Sequence, residues 1–204
     1  MIEIVDYLIS RWRDIELLTL KLASKLVDEG YIPEVLVGIL RGGWIVARLL
    51  SDYLGIDYIG SVEIKFYKGI EDRHEKPVLT QPLVINVRDR SVLIVDDVAD
   101  SGKTLQLATD LLRLYGPKEV KTASLYVKPR SIITPDYFVL KTDKWIIFPW
   151  EIAETLRNVI KSRGVKASVE NILKTSVELG ITVDDFLSEL AELISKTSMH
   201  HVGS

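Results

Sequence analysis

Val92-Leu93-Ile94-Val95-Asp96-Asp97-Val98-Ala99-Asp100-Ser101-Gly102-Lys103-Thr104 is the stretch of this chain that decides its fold. The apolar run predicts a buried strand, and the small residues after it predict a turn into a helix that begins near Lys103. The first turn of a helix attracts anions, because its N–H groups and the helix dipole act together. Asp96 and Asp97 suit sugar hydroxyls, or a divalent cation that offsets their charge. The stretch therefore indicates a site for a ribose phosphate with Mg²⁺.

Two other interpretations apply to the same residues. Gly102-Lys103-Thr104 is similar to the end of a nucleotide-triphosphate P-loop, but that motif needs a glycine where the chain has Asp97, which excludes it. A plain polar turn with a Ser or Asp cap is the remaining alternative. Two acids followed by Asp-Ser-Gly-Lys-Thr after an apolar run form a much rarer string than such a turn.

A second apolar strand leads into a turn that contains two glycines. Val35–Ile39 is followed by Leu40-Arg41-Gly42-Gly43 and then by a helical pattern. The glycines permit a ligand to approach the backbone closely, although this segment alone is equally consistent with an ordinary strand-to-helix connection. Together, the two segments resemble the signature of the type I phosphoribosyltransferases, which use 5-phosphoribosyl pyrophosphate (PRPP).

The resemblance implies roles for both segments. It assigns pyrophosphate to Leu40, Arg41, Gly42 and Gly43, often with a non-proline cis peptide bond, here between Leu40 and Arg41. It assigns the ribose and 5-phosphate of PRPP to Asp96, Asp97, Val98, Ala99, Asp100, Ser101, Gly102, Lys103 and Thr104. In the 6-oxopurine branch, the residue that matches Asp100 contacts purine N7 and assists proton transfer, so Asp100 is the expected catalytic residue.

A third part of the chain resembles the base-binding end of microbial and archaeal purine phosphoribosyltransferases. By this resemblance, Lys128 faces the polar edge of the purine, Trp145 stacks on its ring, and the Ile146 backbone contacts its pyrimidine edge. Taken alone, Trp145 would be read as ordinary core and Lys128 as a surface lysine at a strand end.

The expected cofactor is Mg²⁺. Glu151 falls where the family has a magnesium-associated carboxylate, and Asp96 and Asp97 are candidates for direct or indirect metal contact.

A polar segment of about residues 66–82 is long for a connection inside a compact domain. It matches the mobile hood of the family, and we expect it to close over the pyrophosphate and exclude water. An ordinary surface loop is the alternative. The candidate hood residues are Lys65, Tyr67, Lys68, Arg73 and Lys76.

Strand-like and helical segments alternate through the first three quarters of the chain. Helical spacing from Ile15 to Leu26 is followed by strand-like runs at 35–39, 58–65, 91–96, 120–127 and 137–148. Together with the resemblance, this alternation predicts an α/β type I phosphoribosyltransferase fold with a mostly parallel five-stranded sheet flanked by helices. This domain is expected to span residues 1–150.

The pattern changes after Pro149 to amphipathic helices, which predicts a C-terminal three-helix unit over residues 151–198 and a tail over 199–204. The first two helices are expected at 151–162 and 168–179, ending at Gly164 and Gly180, and the third starts from a Thr182 cap.

Composition sets further expectations. The 204 residues are 47% hydrophobic and include no cysteine, so neither a disulfide framework nor a thiolate nucleophile is expected. The net charge is -3, and no apolar run approaches the roughly 20 residues of a membrane helix. We therefore expect a cytoplasmic protein with no membrane or nucleic-acid partner, and the family resemblance implies a homodimer.

The predicted function is a purine phosphoribosyltransferase of nucleotide salvage that acts on PRPP and a purine base. Crenarchaeal adenine enzymes with a C-terminal helical addition are the expected nearest relatives, which favours adenine as the base and AMP as the product. Asp100 and Lys128 instead suit a 6-oxopurine such as hypoxanthine, guanine or xanthine. The second alternative is a PRPP-sensing regulator that binds nucleic acid, although the C-terminal helices are rich in acids.

Overall fold

The computed structural model describes residues 6–67 and 76–200, with side chains described as far as residue 198. The described elements are β1 (Tyr7–Ile9), α1 (Trp12–Asp28), β2 (Val35–Leu40), α2 (Gly42–Leu54), β3 (Ile59–Tyr67), β4 (Lys76–Gln81), β5 (Ser91–Ala99), α3 (Lys103–Arg113), β6 (Glu119–Val127), β7 (Tyr137–Lys141), β8 (Trp145–Ile147), α4 (Ile152–Ser162), α5 (Val169–Glu178) and α6 (Asp185–His200).

The chain divides into two compact units. The larger unit is Arg13–Asp143, and the smaller unit combines the residues up to Trp12 with those from Lys144 onward. The predicted boundary lay after residue 150, whereas the structure places the segment from Lys144 to Trp150 in the smaller unit.

The larger unit is built on a six-stranded sheet with the order β4-β3-β2-β5-β6-β7. Five strands are parallel to their neighbours, as expected, and β4 is antiparallel to β3. From β2 the chain adds strands on one side, and from β5 it adds them on the other. In sheets of this kind ligands bind where the strand order reverses, here between β2 and β5.

Helices cover the sheet because its central strands are apolar on both faces. Leu36 and Val37 of β2 point to opposite faces, and both are fully buried. On one face, α3 contributes Leu105, Ala108 and Leu112, whose helical spacing forms a single apolar stripe.

Two strand predictions were wrong: the sheet has six strands rather than five, because β4 adds to its edge, and the last predicted strand is divided. The run at 137–148 is not one strand but β7 and β8, which belong to different sheets. β8 pairs in parallel with β1, a three-residue strand too short to produce a recognisable period.

The predicted hood contains strand at both ends. β3 continues to Tyr67, β4 begins at Lys76, and Tyr67 pairs with Lys76. Lys65 lies in β3, where its Nζ is 3.0 Å from Oε1 of Glu63. Lys68 and Arg73 lie outside the described residues.

The smaller unit packs α4, α5 and α6 around an apolar core that includes Ile147 of β8. Its fully buried centre comprises Ile147, Leu156, Ile172, Ala191 and Ile194. The first two helices end close to the predicted glycines, which both have positive φ.

The start of α6 differs from the prediction. Oδ1 of Asp184, not Thr182, caps the helix, accepting a hydrogen bond of 2.9 Å from the Leu187 N–H. Asp184 can do so because it stands three residues before that N–H group, which is the N-cap spacing. The helix runs through His200, two residues into the predicted tail.

Across the described residues, no helix is both long and apolar enough to cross a membrane.

We expect Ile172→Ala to lower the free energy of unfolding of the smaller unit by about 2–5 kcal/mol, because it leaves a cavity at a fully buried site. Urea denaturation followed by circular dichroism measures the change. Val177→Ala, on the same helix but 64% exposed, is the control and should change stability much less. Equal losses in both variants would contradict the assignment of Ile172 to the core.

Candidate active site

The candidate site lies at the carboxyl ends of β2 and β5, where the strand order reverses. Leu40–Gly43 form the junction between the end of β2 and the start of α2, and the turn between β5 and α3 contains Asp100–Gly102. Because the two strands are parallel neighbours, the sheet brings both predicted ligand loops to the same edge.

The backbone of Gly43 packs directly against the end of β5. A Cβ atom added at Gly43 would lie 2.5 Å from the carbonyl oxygen of Val95 and 2.8 Å from Cα of Asp96. No side chain fits there without moving backbone, so glycine is required for this close approach. The contact joins the start of α2 to the first of the two carboxylates.

The start of α2 has the features of an anion site. The peptide bond between Leu40 and Arg41 is cis, as expected, and Arg41 is the N-cap residue of α2. The Arg41 side chain makes no capping hydrogen bond to the helix. The helix dipole and the backbone N–H groups of the first turn therefore favour an anion at this end.

Asp96 and Asp97 are both buried at the end of β5, each 8% exposed. The Asp97 N–H donates to Oδ1 of Asp96 over 3.0 Å, and the Val98 N–H donates to Oδ1 of Asp97 over 2.8 Å. Burial, followed by the negative charge of Asp97, raises the pKa of Asp96 well above its ordinary value. A cation or a set of hydroxyl donors would relieve this unfavourable concentration of charge.

The turn between β5 and α3 is held from outside by the segment that follows β6. The Lys128 N–H donates to the Ala99 carbonyl, and the Ile132 N–H donates to the Ser101 carbonyl, both over 3.0 Å. Gly102 has a φ of +76°, and a Cβ there would lie 2.5 Å from Oγ of Ser131. The turn therefore requires glycine for its conformation and for its packing.

A pocket of about 110 Å³ opens at this turn. Its lining contains the predicted ribose and phosphate residues Asp96, Val98, Ala99, Asp100, Ser101, Gly102 and Thr104, together with Leu105 and Phe66 of β3. Phe66, which the sequence analysis did not select, is an apolar wall beside a polar turn. Its position at the end of a strand next to β2 was the available signal.

Asp100 is paired with a second residue that the sequence analysis missed. Nε and Nη2 of Arg130 donate to Oδ1 of Asp100 over 2.8 and 2.6 Å, and Nη2 also donates to Oδ2 over 2.7 Å. Arg130 comes two residues after Lys128, in the segment that holds the β5–α3 turn. Its proximity to the expected base-binding lysine was the only sequence signal.

Lys128 is only 7% exposed, at the end of β6. Burial lowers the pKa of its ammonium group, the negative charge of Asp100 opposes this shift, and the positive charge of Arg130 adds to it. A buried ammonium beside the pocket is a fixed donor for an oxygen or a ring nitrogen.

The other three predicted residues belong to the smaller unit. Trp145 of β8 is 54% exposed, whereas Ile146 is buried and pairs with Leu8 of β1. Glu151 is the N-cap residue of α4, and its carbonyl accepts a hydrogen bond from the Thr155 N–H.

Within the described residues, no group of three or more metal-ligating side chains forms a metal site. The two carboxylates of β5 nevertheless suit Mg²⁺, which prefers oxygen ligands and commonly binds through one or two carboxylates together with substrate phosphates. The donor set therefore fits a magnesium ion that arrives with a phosphorylated substrate.

Comparison with known proteins agrees with this geometry. The phosphoribosyl transferase domain family matches residues 9–155, which include both ligand loops. The chain belongs to this family.

Three relatives are informative. A xanthine-guanine phosphoribosyltransferase from Gluconobacter oxydans is 34% identical over 73% of this chain and 87% of its own length. The crystal structure of a purine phosphoribosyltransferase from Pyrococcus horikoshii is 41% identical, with a TM-score of 0.65 over 71% of this chain and 93% of that one. A hypoxanthine-guanine phosphoribosyltransferase from Bacillus anthracis is 26% identical, with a TM-score of 0.56 over 69% and 83%.

Gly43→Ala should lower the free energy of unfolding by about 1–3 kcal/mol, because the added methyl group meets backbone atoms of β5. This loss should occur although alanine favours a helix by about 1 kcal/mol over glycine. Gly60→Ala is the control, since its Cβ meets side-chain rather than backbone atoms, those of Ile85 and Leu83. Urea denaturation compares the two variants; an unchanged Gly43→Ala protein would contradict the close approach.

Asp96→Asn should make the protein more stable than the wild type at neutral pH. The raised pKa means that the stability contributed by Asp96 is fully present below its ordinary pKa of 3.8 and is lost as the pH rises through the folded-state value. Asparagine stays neutral and can still accept the hydrogen bond from the Asp97 N–H.

Unfolding free energies between pH 4 and pH 8 test this prediction. The advantage of Asp96→Asn over the wild type should grow with pH, whereas Asp110→Asn, at an exposed carboxylate of α3, should give no such trend. A constant difference between Asp96→Asn and the wild type would contradict the buried charge.

Proposed function

We propose that this protein transfers the 5-phosphoribosyl group of PRPP to N9 of a 6-oxopurine, giving a purine nucleoside monophosphate and pyrophosphate. One observation carries the proposal: the Gly43 backbone lies against Asp96, so an anion-binding helix start and a buried diol-binding carboxylate pair face the same ligand. A sugar with phosphates at both ends is the ligand that such a site suits.

The proposed binding mode follows from this arrangement. Asp96 and Asp97 accept hydrogen bonds from the ribose hydroxyls, the N–H groups from Ala99 to Thr104 bind the 5-phosphate, and Leu40–Gly43 bind pyrophosphate. Helix α3 begins at Lys103 after Gly102, which has no side chain to cap it, and Oγ of Ser101 accepts only a long hydrogen bond of 3.4 Å from the Lys103 N–H. The first turn of this helix therefore suits an anion. Mg²⁺ bound with PRPP would neutralise the pyrophosphate and make it a better leaving group.

The reaction breaks the bond between C1 and the pyrophosphate oxygen and forms the bond between C1 and N9. As pyrophosphate departs, the sugar acquires oxocarbenium character, which the carboxylates of Asp96 and Asp97 stabilise electrostatically. Asp100 lies in the lining of the same pocket, where it accepts the purine N7 proton and assists proton transfer. Lys65 and Tyr67 of β3 and Lys76 of β4 stay predicted contacts of the pyrophosphate.

The choice of a 6-oxopurine replaces the prediction of adenine. That prediction rested only on the C-terminal helices, which lie almost entirely beyond the family match at residues 9–155. Two of the three relatives reported above are named as xanthine-guanine and hypoxanthine-guanine enzymes.

The chemistry of Lys128 supports the same choice. Its ammonium group can only donate, and the 6-oxo group of guanine, xanthine or hypoxanthine accepts. The 6-amino group of adenine would oppose one donor with another, and a polar site of this kind discriminates strongly between the two. Trp145, Ile146 and Glu151 lie in the smaller unit, and their roles toward the base and Mg²⁺ stay predictions from the family resemblance.

Turnover with a panel of bases tests the proposal. We expect the protein, with PRPP and Mg²⁺, to convert at least one of hypoxanthine, guanine and xanthine with a kcat/KM at least 100-fold above that for adenine, measured by product chromatography. Folded Asp96→Asn/Asp97→Asn protein is the control and should turn over none of them. Preferential use of adenine would overturn the base assignment; salt-sensitive DNA binding without any turnover would favour the regulator.

A further inference from the structure

We propose that Arg130 is a positioning residue for Asp100: it holds the carboxylate so that a single acceptor position faces the incoming purine. This inference rests on the proposed function, because it assigns the device that orients the proposed proton acceptor.

The hydrogen bonds from Arg130 restrict the acceptor positions of the Asp100 carboxylate. A carboxylate offers about four acceptor positions, two on each oxygen. Nε and Nη2 of Arg130 together occupy both positions of Oδ1, and Nη2 also occupies one position of Oδ2. One position on Oδ2 is left, which suits one N–H group such as that at purine N7.

The backbone around the ion pair holds the two loops together. Exposed ion pairs generally contribute little, because two long side chains must be ordered. Here the two loops are already joined on both sides of the pair, by Lys128 N–H to the Ala99 carbonyl and by Ile132 N–H to the Ser101 carbonyl. The arginine therefore extends from a backbone that is fixed relative to Asp100, and less ordering is needed to hold the pair.

The ion pair also lies close to the charged group of Lys128. Lys128 lies close enough to both members of the pair for Asp100 to raise and Arg130 to lower the pKa of its ammonium group. The pair is thus near the expected base-binding lysine, and its carboxylate member, Asp100, lies on the lining of the phosphate pocket. An ion pair that only stabilised the fold would have no need of this location.

Arg130→Ala is the principal test. We expect kcat with the preferred 6-oxopurine to fall at least 10-fold while KM for the base and for PRPP changes less than threefold, because binding groups remain and orientation is lost. Millimolar guanidinium should restore part of kcat in Arg130→Ala but not in the wild type. Arg130→Lys, which keeps the charge without the planar fork, should be intermediate.

Arg113→Ala is the matched control. Arg113 pairs with Asp110 on α3, its side chain is as exposed as that of Arg130 (65% for each), and it is remote in sequence from both loops. Its kcat should equal that of the wild type within twofold.

A double-mutant comparison separates positioning from independent action. In an Asp100→Asn background, Arg130→Ala should cost less than twofold, because the group it positions is already changed. The proposal is overturned by a full additional loss in that background, by an unchanged kcat in Arg130→Ala, or by a loss confined to KM.

A readout that needs no turnover distinguishes failure of this inference from failure of the proposed function. Nuclear magnetic resonance titration of the Lys128 side chain should show a higher pKa in Arg130→Ala than in the wild type, and no change in Arg113→Ala. An unchanged Lys128 titration would show that the guanidinium does not lie at this site. Absence of purine turnover in the wild type, with the Lys128 shift present, would instead reject the proposed function.

Discussion

The close approach of the Gly43 backbone to the end of β5 is the constraint on which the rest of the site depends. It brings the start of α2 to within van der Waals contact of Asp96, so a helix N-terminus and a buried carboxylate become neighbours. The contact exists because β2 and β5 are adjacent parallel strands at the reversal of strand order. A larger residue at position 43 would separate the two loops, and a ligand that needs both could then bind only one of them.

The electrostatics of the site explain why its ligand is expected to be a polyol phosphate with a cation. Two buried, negative carboxylates adjoin two helix starts, which carry partial positive charge. A ligand with hydroxyls, phosphates and a bound metal ion suits both kinds of group. The exposed Arg130 and the buried Lys128, both in or next to the segment that follows β6, have distinct roles in our proposal. Arginine fits a carboxylate with its planar fork, whereas lysine is a compact donor for a single atom.

Structural features were predictable where the residues that form them are consecutive in the sequence. The apolar run to Val95, the two acids and Gly102 specified a strand, a turn and a helix, and the structure contains all three. β4 pairs with the neighbouring β3, and it was missed because the polar segment that contains it was interpreted as a loop. β1 was missed because it has only three residues and pairs with a strand distant in sequence. Arg130 was missed for a related reason, since its partner is thirty residues away. The prediction of adenine relied on helices mostly outside the part shared with relatives, whose names favour a 6-oxopurine.

The pairing of β1 with β8 has a consequence for biosynthesis. Tyr7 precedes the larger unit in the chain, whereas its partner in the sheet, Trp145, follows that unit. During translation β1 can therefore pair with β8 only after the whole larger unit has been synthesised. The nascent polypeptide can therefore complete the sheet of the larger unit first, and the pairing of β1 with β8 comes last.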